Sequence, residues 1–326
     1  MKNKTIGLTA AFFVIFCVSV FAGGEQEVSV TIPGSVHIIE GEEFQRRGLT
    51  NVIIENGVRI IGDYVFAGNR LTNINLPDSV HSIGGGAFAV NPLTRVTIPR
   101  NVIKMVDLGS GENANPFPIA SLEYISVDPA NSYFVSVDGV LYSKDRKILF
   151  AYPSAKGKVY TIPDGVIEIA SRAFAGTPTA SQIERISLPN GLVTIGGSAF
   201  MCASLTSVII PDSVKEIGSH AFYENNLTSV TISTNITSIE IWTFYGNRLT
   251  SVIIPSNVTS IGSMAFCNNK LTSITIGANV TMGNIYHDGG GYTINNGFDN
   301  DFDDFYNLNG KRAGTYTYTN GRWNRR

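Results

Sequence analysis

Apolar and polar residues alternate along short runs that end at a proline, and the same run returns down most of the chain. Residues 205–226 hold one copy, in which Val208 and Ile210 alternate with Ser207 and Ile209, the two-residue period of a strand. Pro211 cannot donate to a ladder and closes the strand, and Asp212 with Ser213 makes a turn. Val214 and Ile217 dip back into the interior. Gly218 permits a corner that a side chain would obstruct, Ala221 and Phe222 place a small and a large apolar group in the core, and Asn225 closes the copy. One copy cannot bury these residues alone. Stacked copies put like upon like, in ladders of Val/Ile, of Phe and of Asn.

The spacing of the ladder residues makes the repeat explicit. Phe44, Phe66 and Phe88 are 22 residues apart, as are Phe200, Phe222, Phe244 and Phe266. Asn69, Asn91, Asn225, Asn247 and Asn269 each lie three residues after a ladder Phe. An inward Asn can bond the backbone groups of neighbouring turns, which must be satisfied somewhere, so a fixed offset marks it as scaffold. The register slips in an orderly way. Residues 109–115 form an insertion before Phe117, which regains the phase, and residues 121–153 form a longer variant unit. There Asp138-Gly139 predicts a hairpin. A short insertion at 176–182 follows Phe174.

The pattern predicts a β-rich solenoid of about twelve rungs with short helical or 3-10 turns, on the order of 50–60 Å long at strand spacing. The repeat phrase decays after Gly277. The alternation of Thr315, Tyr316, Thr317, Tyr318 and Thr319 into Asn320-Gly321 predicts a small β-meander capping the last rung. The predicted organisation is a leader at 1–22, a solenoid at 23–282 and a β-rich capping segment at 283–326.

Composition narrows the function classes. Lys2 and Lys4 precede an apolar run from Ile6 to Phe21, and Val20-Phe-Ala22 offers a cleavage site, the pattern of a secretory signal peptide. A membrane anchor and a lipoprotein signal at Cys17 compete with that reading. The run is short of a bilayer span, Phe16 is bulky where a lipoprotein signal expects a small residue, and the apolar run continues past the cysteine. With 24 basic and 26 acidic residues the chain is nearly neutral, and it has no basic stripe for phosphate contacts, so nucleic acid is an unexpected partner. Removal of the leader leaves Cys202 and Cys267. Three rungs separate them, about 14 Å at strand spacing, beyond the ~7 Å reach of a disulfide. Two free thiols are expected.

The run Leu-Thr-Ser-Val-x-Ile-Pro-x-x-Val-x-x-Ile-Gly-x-x-Ala-Phe resembles the BspA-like, treponemal-type leucine-rich repeat over about residues 28–282. The cleanest copies begin at Leu227 and Leu249. Asp138-Gly-Val-Leu-Tyr142 is similar to a longer variant repeat of that family, and the tail around Gly310 to Thr315 is similar to C-terminal segments of treponemal members. Asn often stands where the family commonly has Cys after the Ala-Phe pair. The resemblance implies a curved, right-handed solenoid on an exported bacterial protein, with adhesion or host-protein binding, and carries no catalytic motif.

Function is expected where copies differ. The outward strand positions are polar and nearly uncharged, with Ile209 and Ile253 as candidate apolar contacts; a solvated Ser/Thr face chosen for β-propensity is the plainer reading. The residue two before each ladder Phe varies freely, as Tyr64, Gly86, Arg172, His220, Trp242 and Met264, and is expected to face solvent. His220, Tyr223, Trp242 and Tyr245 then cluster on adjacent rungs, as binding hot spots or as packed loop residues. The acidic segment with Asp299, Asp301, Asp303 and Asp304 lacks the spacing of a calcium loop and reads as solvated capping charge. The four histidines show no metal spacing, so neither metal nor cofactor is expected. The leading expectation is a monomeric, non-catalytic binder of a protein or surface glycan, on the cell surface, in the periplasm or secreted. A structural envelope protein and a polysaccharide-active enzyme are the alternatives, and the outward strand positions lack the convergent carboxylates the enzyme needs.

Overall fold

The computed structural model describes residues 4–5, 15–20, 26–41, 43–105, 115–176, 183–283, 286–287, 293–294, 297–299 and 301–326. Most of the expected leader, including the cleavage position at Ala22, lies outside these residues, as do residue 177 onward of the second insertion and all but Asn115 of the first. The chain forms two compact units, residues 1–156 and 157–326.

In the first unit the backbone of Ile15–Val20 runs antiparallel to Gln26–Ile32, which pairs in parallel with Asn51–Ile54, Val30 facing Val52 and Ile32 facing Ile54. Arg95–Ile98 pairs in parallel with Tyr124–Val127. A second, narrower sheet stacks Ile38–Ile39, Ile60–Ile61, Ser82–Ile83 and Lys104–Met105 in parallel. The variant unit is an antiparallel meander of Phe134–Val137, Val140–Ser143 and Ile148–Ala151. Its first turn holds Asp138 at φ 49° and Gly139 at φ 78°, the paired positive φ angles of a type I′ turn.

The second unit repeats the plan. Its long strands are Val159–Thr161, Arg185–Ser187, Ser207–Ile209, Ser229–Thr231, Ser251–Ile253 and Ser273–Ile276, with Ser207, Val208 and Ile209 facing Ser229, Val230 and Thr231. Because the side-chain period is two, this register turns Val208 and Ile210 and their counterparts inward: Val252, Ile274, Ile232, Ile254 and Ile276 are buried and Val230 is half-buried. The solenoid makes about 11 turns, in keeping with the expected array of about twelve rungs.

Three features lock each rung to the next. Phenylalanine rings stack down both units, at 5.5, 5.6 and 5.8 Å from Phe44 to Phe117 and between 4.9 and 5.3 Å from Phe174 to Phe266. Corner glycines permit close approach: a Cβ at Gly218 would lie 2.5 Å from the Gly197 nitrogen, and one at Gly262 the same distance from the Ile241 nitrogen. Ladder asparagines join successive turns. The Asn247 side chain accepts from the Leu227 N–H at 3.0 Å and donates to the carbonyls of Phe222 and Phe244, each at 3.0 Å. Asn69, Asn91, Asn225 and Asn269 make the same kind of bridge, Asn269 half-buried and the others buried.

The cap contains a helix as well as strands. Phe302–Leu308 is helical, and the hairpin of Gly314–Thr319 and Arg322–Arg325 pairs antiparallel with Ser273–Ile276. The helix places Phe302, Asp303 and Tyr306 inward at the i, i+1 and i+4 spacing of one face, a period that strand alternation does not show. Phe298 stacks on Phe266 at 4.9 Å, and the Phe266 N–H donates to the Gly297 carbonyl at 2.8 Å. The Phe244 N–H makes the matching bond to Ala265 one rung earlier. The cap therefore imitates the next rung.

Replacing Asn247 by Ala strands the Leu227 N–H and the Phe222 carbonyl in the core, while the Phe244 carbonyl keeps its bond from Asn269 at 2.9 Å. The expected loss is about 3 kcal/mol, read as a lower urea midpoint for unfolding.

Candidate binding surfaces

On the second unit's long strands the outward side chains form two rows. Ser207, Ser229 and Ser251 are exposed, as are Ile209, Thr231 and Ile253. Ile209 is 73% and Ile253 70% exposed, among the most open large apolar side chains described. Beside them the threonine hydroxyls turn back to the scaffold: Thr228 and Thr272 each donate to the carbonyl of the corresponding Thr one rung earlier at 3.3 Å. On the first unit's long strands the face carries Arg95 and Tyr124, with the guanidinium 5.9 Å from the ring centroid.

The turns around the ladder phenylalanines form a second surface. The residue two before the Phe adopts positive φ in rung after rung: Tyr64 at 55°, Gly86 at 60°, Arg172 at 58°, Ser198 at 54°, His220 at 59°, Trp242 at 56° and Met264 at 54°. This bend aims the N–H groups of His220, Phe222 and Glu224 at carbonyls of the next rung. Tyr64 is exposed, whereas Arg172, His220, Trp242 and Met264 are half-buried and Gly86 is buried. These side chains lie along the ridge against their neighbours, which is why they are less open than their variability implies. The His220 and Trp242 rings meet edge-on at 4.6 Å, Tyr223 and Tyr245 stack at 5.1 Å, and His220 lies 5.7 Å from Tyr223. Burial, with the charge of Arg172 second, lowers the His220 pKa, so the ring is neutral at pH 7. Burial and the Glu224 carboxylate push the Tyr223 hydroxyl up to about 12.

Sequence reading of the long strands missed a third surface. In the second unit Thr194, Lys215, Glu216, Thr237, Ser238 and Glu240 line a groove of about 780 Å³ beside the short strands. The register places Glu168 and Glu216 on either side of Thr194, and burial and the Glu216 charge raise the Glu168 pKa. The signal for this groove was the position before the inward Ile of each short strand, which also alternates outward. A matching groove of about 430 Å³ in the first unit carries Glu40, Asp63 and Lys104.

The cap acids are not all solvated. Asp303 is 3% exposed and its Oδ2 accepts from the Phe298 N–H at 3.1 Å. Burial pushes its carboxyl up to about 7, Asp304 and Asp299 add to this, and the amides of Phe298 and Gly297 pull the other way. Asp299 accepts from the Asn269 N–H at 3.2 Å, the bond that Asn69 accepts from Arg47. Among the described residues no group of three or more His, Cys, Asp or Glu side chains is placed to hold a metal ion. Cys202 and Cys267 are both buried and form no disulfide. Burial and then Glu224 raise the Cys202 thiol to about 11; burial and then Asp299 and Asp303 hold Cys267 higher still.

A stacked parallel solenoid closed by ladder Phe and Asn residues defines the class as a leucine-rich repeat protein. The chain belongs to the family described as the BspA type leucine rich repeat region, which matches residues 17–109 and 167–286 in six copies. No curated protein matches it. Among solved structures it is similar to a leucine-rich repeat protein of Eubacterium ventriosum (26% identity, TM-score 0.67, covering 78% of this chain and 69% of that one). It is also similar to the pneumococcal vaccine antigen PcpA (26%, 0.55, 81% and 66%). A leucine rich cell surface protein of Faecalibacterium prausnitzii shares the fold (24%, 0.50, 78% and 74%). No helix among the described residues is long and apolar enough to cross a membrane.

Asp303 gives the cap a pH dependence of definite sign. Its folded pKa of about 7 exceeds the ordinary 3.8, so its contribution to stability is full below pH ~4 and is lost as pH rises through ~7, on the order of 4 kcal/mol across that window. Hydrogen exchange of the cap amides should be slower at pH 5.5 than at pH 8 after correction for intrinsic rates, and Asp303→Asn should flatten the difference. The thiols should resist alkylation by iodoacetamide at pH 8 in the native protein, since the thiolate is the reactive form, and both should react once the protein is unfolded.

Proposed function

We propose that this chain is an exported, non-catalytic, adhesin-like interaction protein that binds a host or microbial surface macromolecule through its repeat array. The observation that carries this reading is the long-strand face of the second unit, where Ile209 and Ile253 stand open in a row that is otherwise hydroxyl-bearing and uncharged. A rigid stacked sheet presents such groups with little ordering cost, which is what recognition by preorganisation requires. The amino-terminal basic and apolar pattern supports export, and the likeness to a bacterial vaccine antigen supports display at a surface.

The test is capture by the exported form of the chain from a panel of purified host matrix proteins and bacterial surface glycans. A saturable partner is expected, and Ile209→Lys combined with Ile253→Lys should weaken it about tenfold or more while the melting temperature holds. Capture indifferent to that pair would sink the sheet-face assignment. A chain that retains no member of the panel would fit an envelope scaffold instead.

A further inference from the structure

The bend before each ladder Phe is a position that glycine fills best. An L-residue held at positive φ costs about 1–2 kcal/mol relative to an ordinary backbone, a cost glycine avoids. Gly86 shows that glycine is compatible with the turn. Yet the five successive bends of the second unit carry Arg172, Ser198, His220, Trp242 and Met264, three of them large polar or aromatic side chains. Strained residues that the scaffold does not require are kept for what the side chain does.

What these side chains do is form one surface. His220 meets Trp242 edge-on at 4.6 Å and sits 5.7 Å from Tyr223, which stacks on Tyr245 at 5.1 Å with the planes 9° apart. Four rings on two adjacent rungs thus touch one another, each half-buried, with the remainder of the ring open to solvent. Hydrogen-bonding groups border them. Arg172 lies close enough to His220 to lower its pKa, and the exposed Glu224 carboxylate lies close enough to Tyr223 to raise its pKa. Arg172 and Glu224 offset each other and His220 is neutral, so the surface carries ring area and polar groups with little net charge.

We propose that this ridge binds a neutral glycan chain, with a pyranose face laid on Trp242, the stacked Tyr223–Tyr245 pair packed alongside it, and hydroxyls bonded by Arg172, His220 and Glu224. The proposal rests on the interaction reading above and assigns it a second surface and a ligand class. A pyranose ring has an apolar C–H face and an equatorial belt of hydroxyls, and aromatic side chains suit the first as planar donors and acceptors suit the second. Absence of net charge favours a neutral sugar over a polyanion, for which a basic stripe would be needed. The receptor repeats once: two adjacent rungs offer rings in step, so two successive sugars of a chain can make like contacts on them. A folded protein partner has no such period, and it would need a deep, water-excluding centre around its anchors where this ridge is shallow and polar-edged.

The test uses the full chain and hexasaccharides of neutral hexose and of N-acetylhexosamine. Trp323, the second of the two tryptophans, is 4% exposed, so a saturable change in tryptophan emission reports on Trp242. Trp242→Gly should weaken binding about tenfold or more by calorimetry while the melting temperature is unchanged or higher, because glycine relaxes the bend. The Ile209→Lys, Ile253→Lys pair should leave hexasaccharide binding unaltered. The proposal is overturned by a panel with no binder, by binding that ignores Trp242→Gly, or by a large drop in melting temperature in that variant, which would make Trp242 a packing residue. Loss in the sheet-face variant alone overturns the ridge and leaves the interaction reading standing.

Discussion

Every turn of a stacked solenoid bends its backbone out of regular pairing, and the amides and carbonyls at the bends have to find partners inside a narrow core. The ladder asparagines meet that constraint. Each carries an acceptor and two donors on a short side chain, enough to take an N–H from the rung before and give to carbonyls of two rungs at once, as Asn247 does. The Phe stack and the corner glycines depend on this arrangement, because ring stacking near 5 Å requires turns of identical shape. Uniform turns in turn fix which side chains point outward. The binding surfaces are a by-product of how the chain satisfies its own backbone.

The scaffold was legible because repetition averages over noise: one Asn after one Phe means little, five at the same offset mean a ladder. The outward direction of Ile209 and Ile253 followed from a period of two. The partial burial of His220 and Trp242 did not, since it depends on where side chains lean after the bend, and φ at a single position leaves no trace in a hydropathy pattern. Asp303 was misjudged as solvated for a related reason. Strand alternation continued through the cap would face it outward, but the helix Phe302–Leu308 turns it in beside Phe298. The carboxylates of the short strands were overlooked because a two-residue strand is too brief to show a period. Glu168 and Glu216 become neighbours only through the register.

The three surfaces differ in the chemistry they offer. The long-strand face is hydroxyl-bearing and dotted with isoleucine; the ridge is aromatic; the short-strand groove mixes carboxylates with a lysine. The ridge and the isoleucines of the sheet face sit at positions where copies of the repeat differ, whereas the ladder Phe and Asn, which recur, point inward; the serine row Ser207, Ser229 and Ser251 recurs and is still exposed.

The imitation of a rung by the cap has a consequence for how such genes change. Phe298 and Gly297 engage Phe266 through contacts that Phe244 or Phe222 could offer equally well, since each presents the same ring and the same N–H. Unequal recombination between near-identical copies can then delete or duplicate 22-residue blocks without redesigning the terminus. Array length becomes a quantity that drift and selection adjust by whole steps, each step adding or removing one bend with its own side chain.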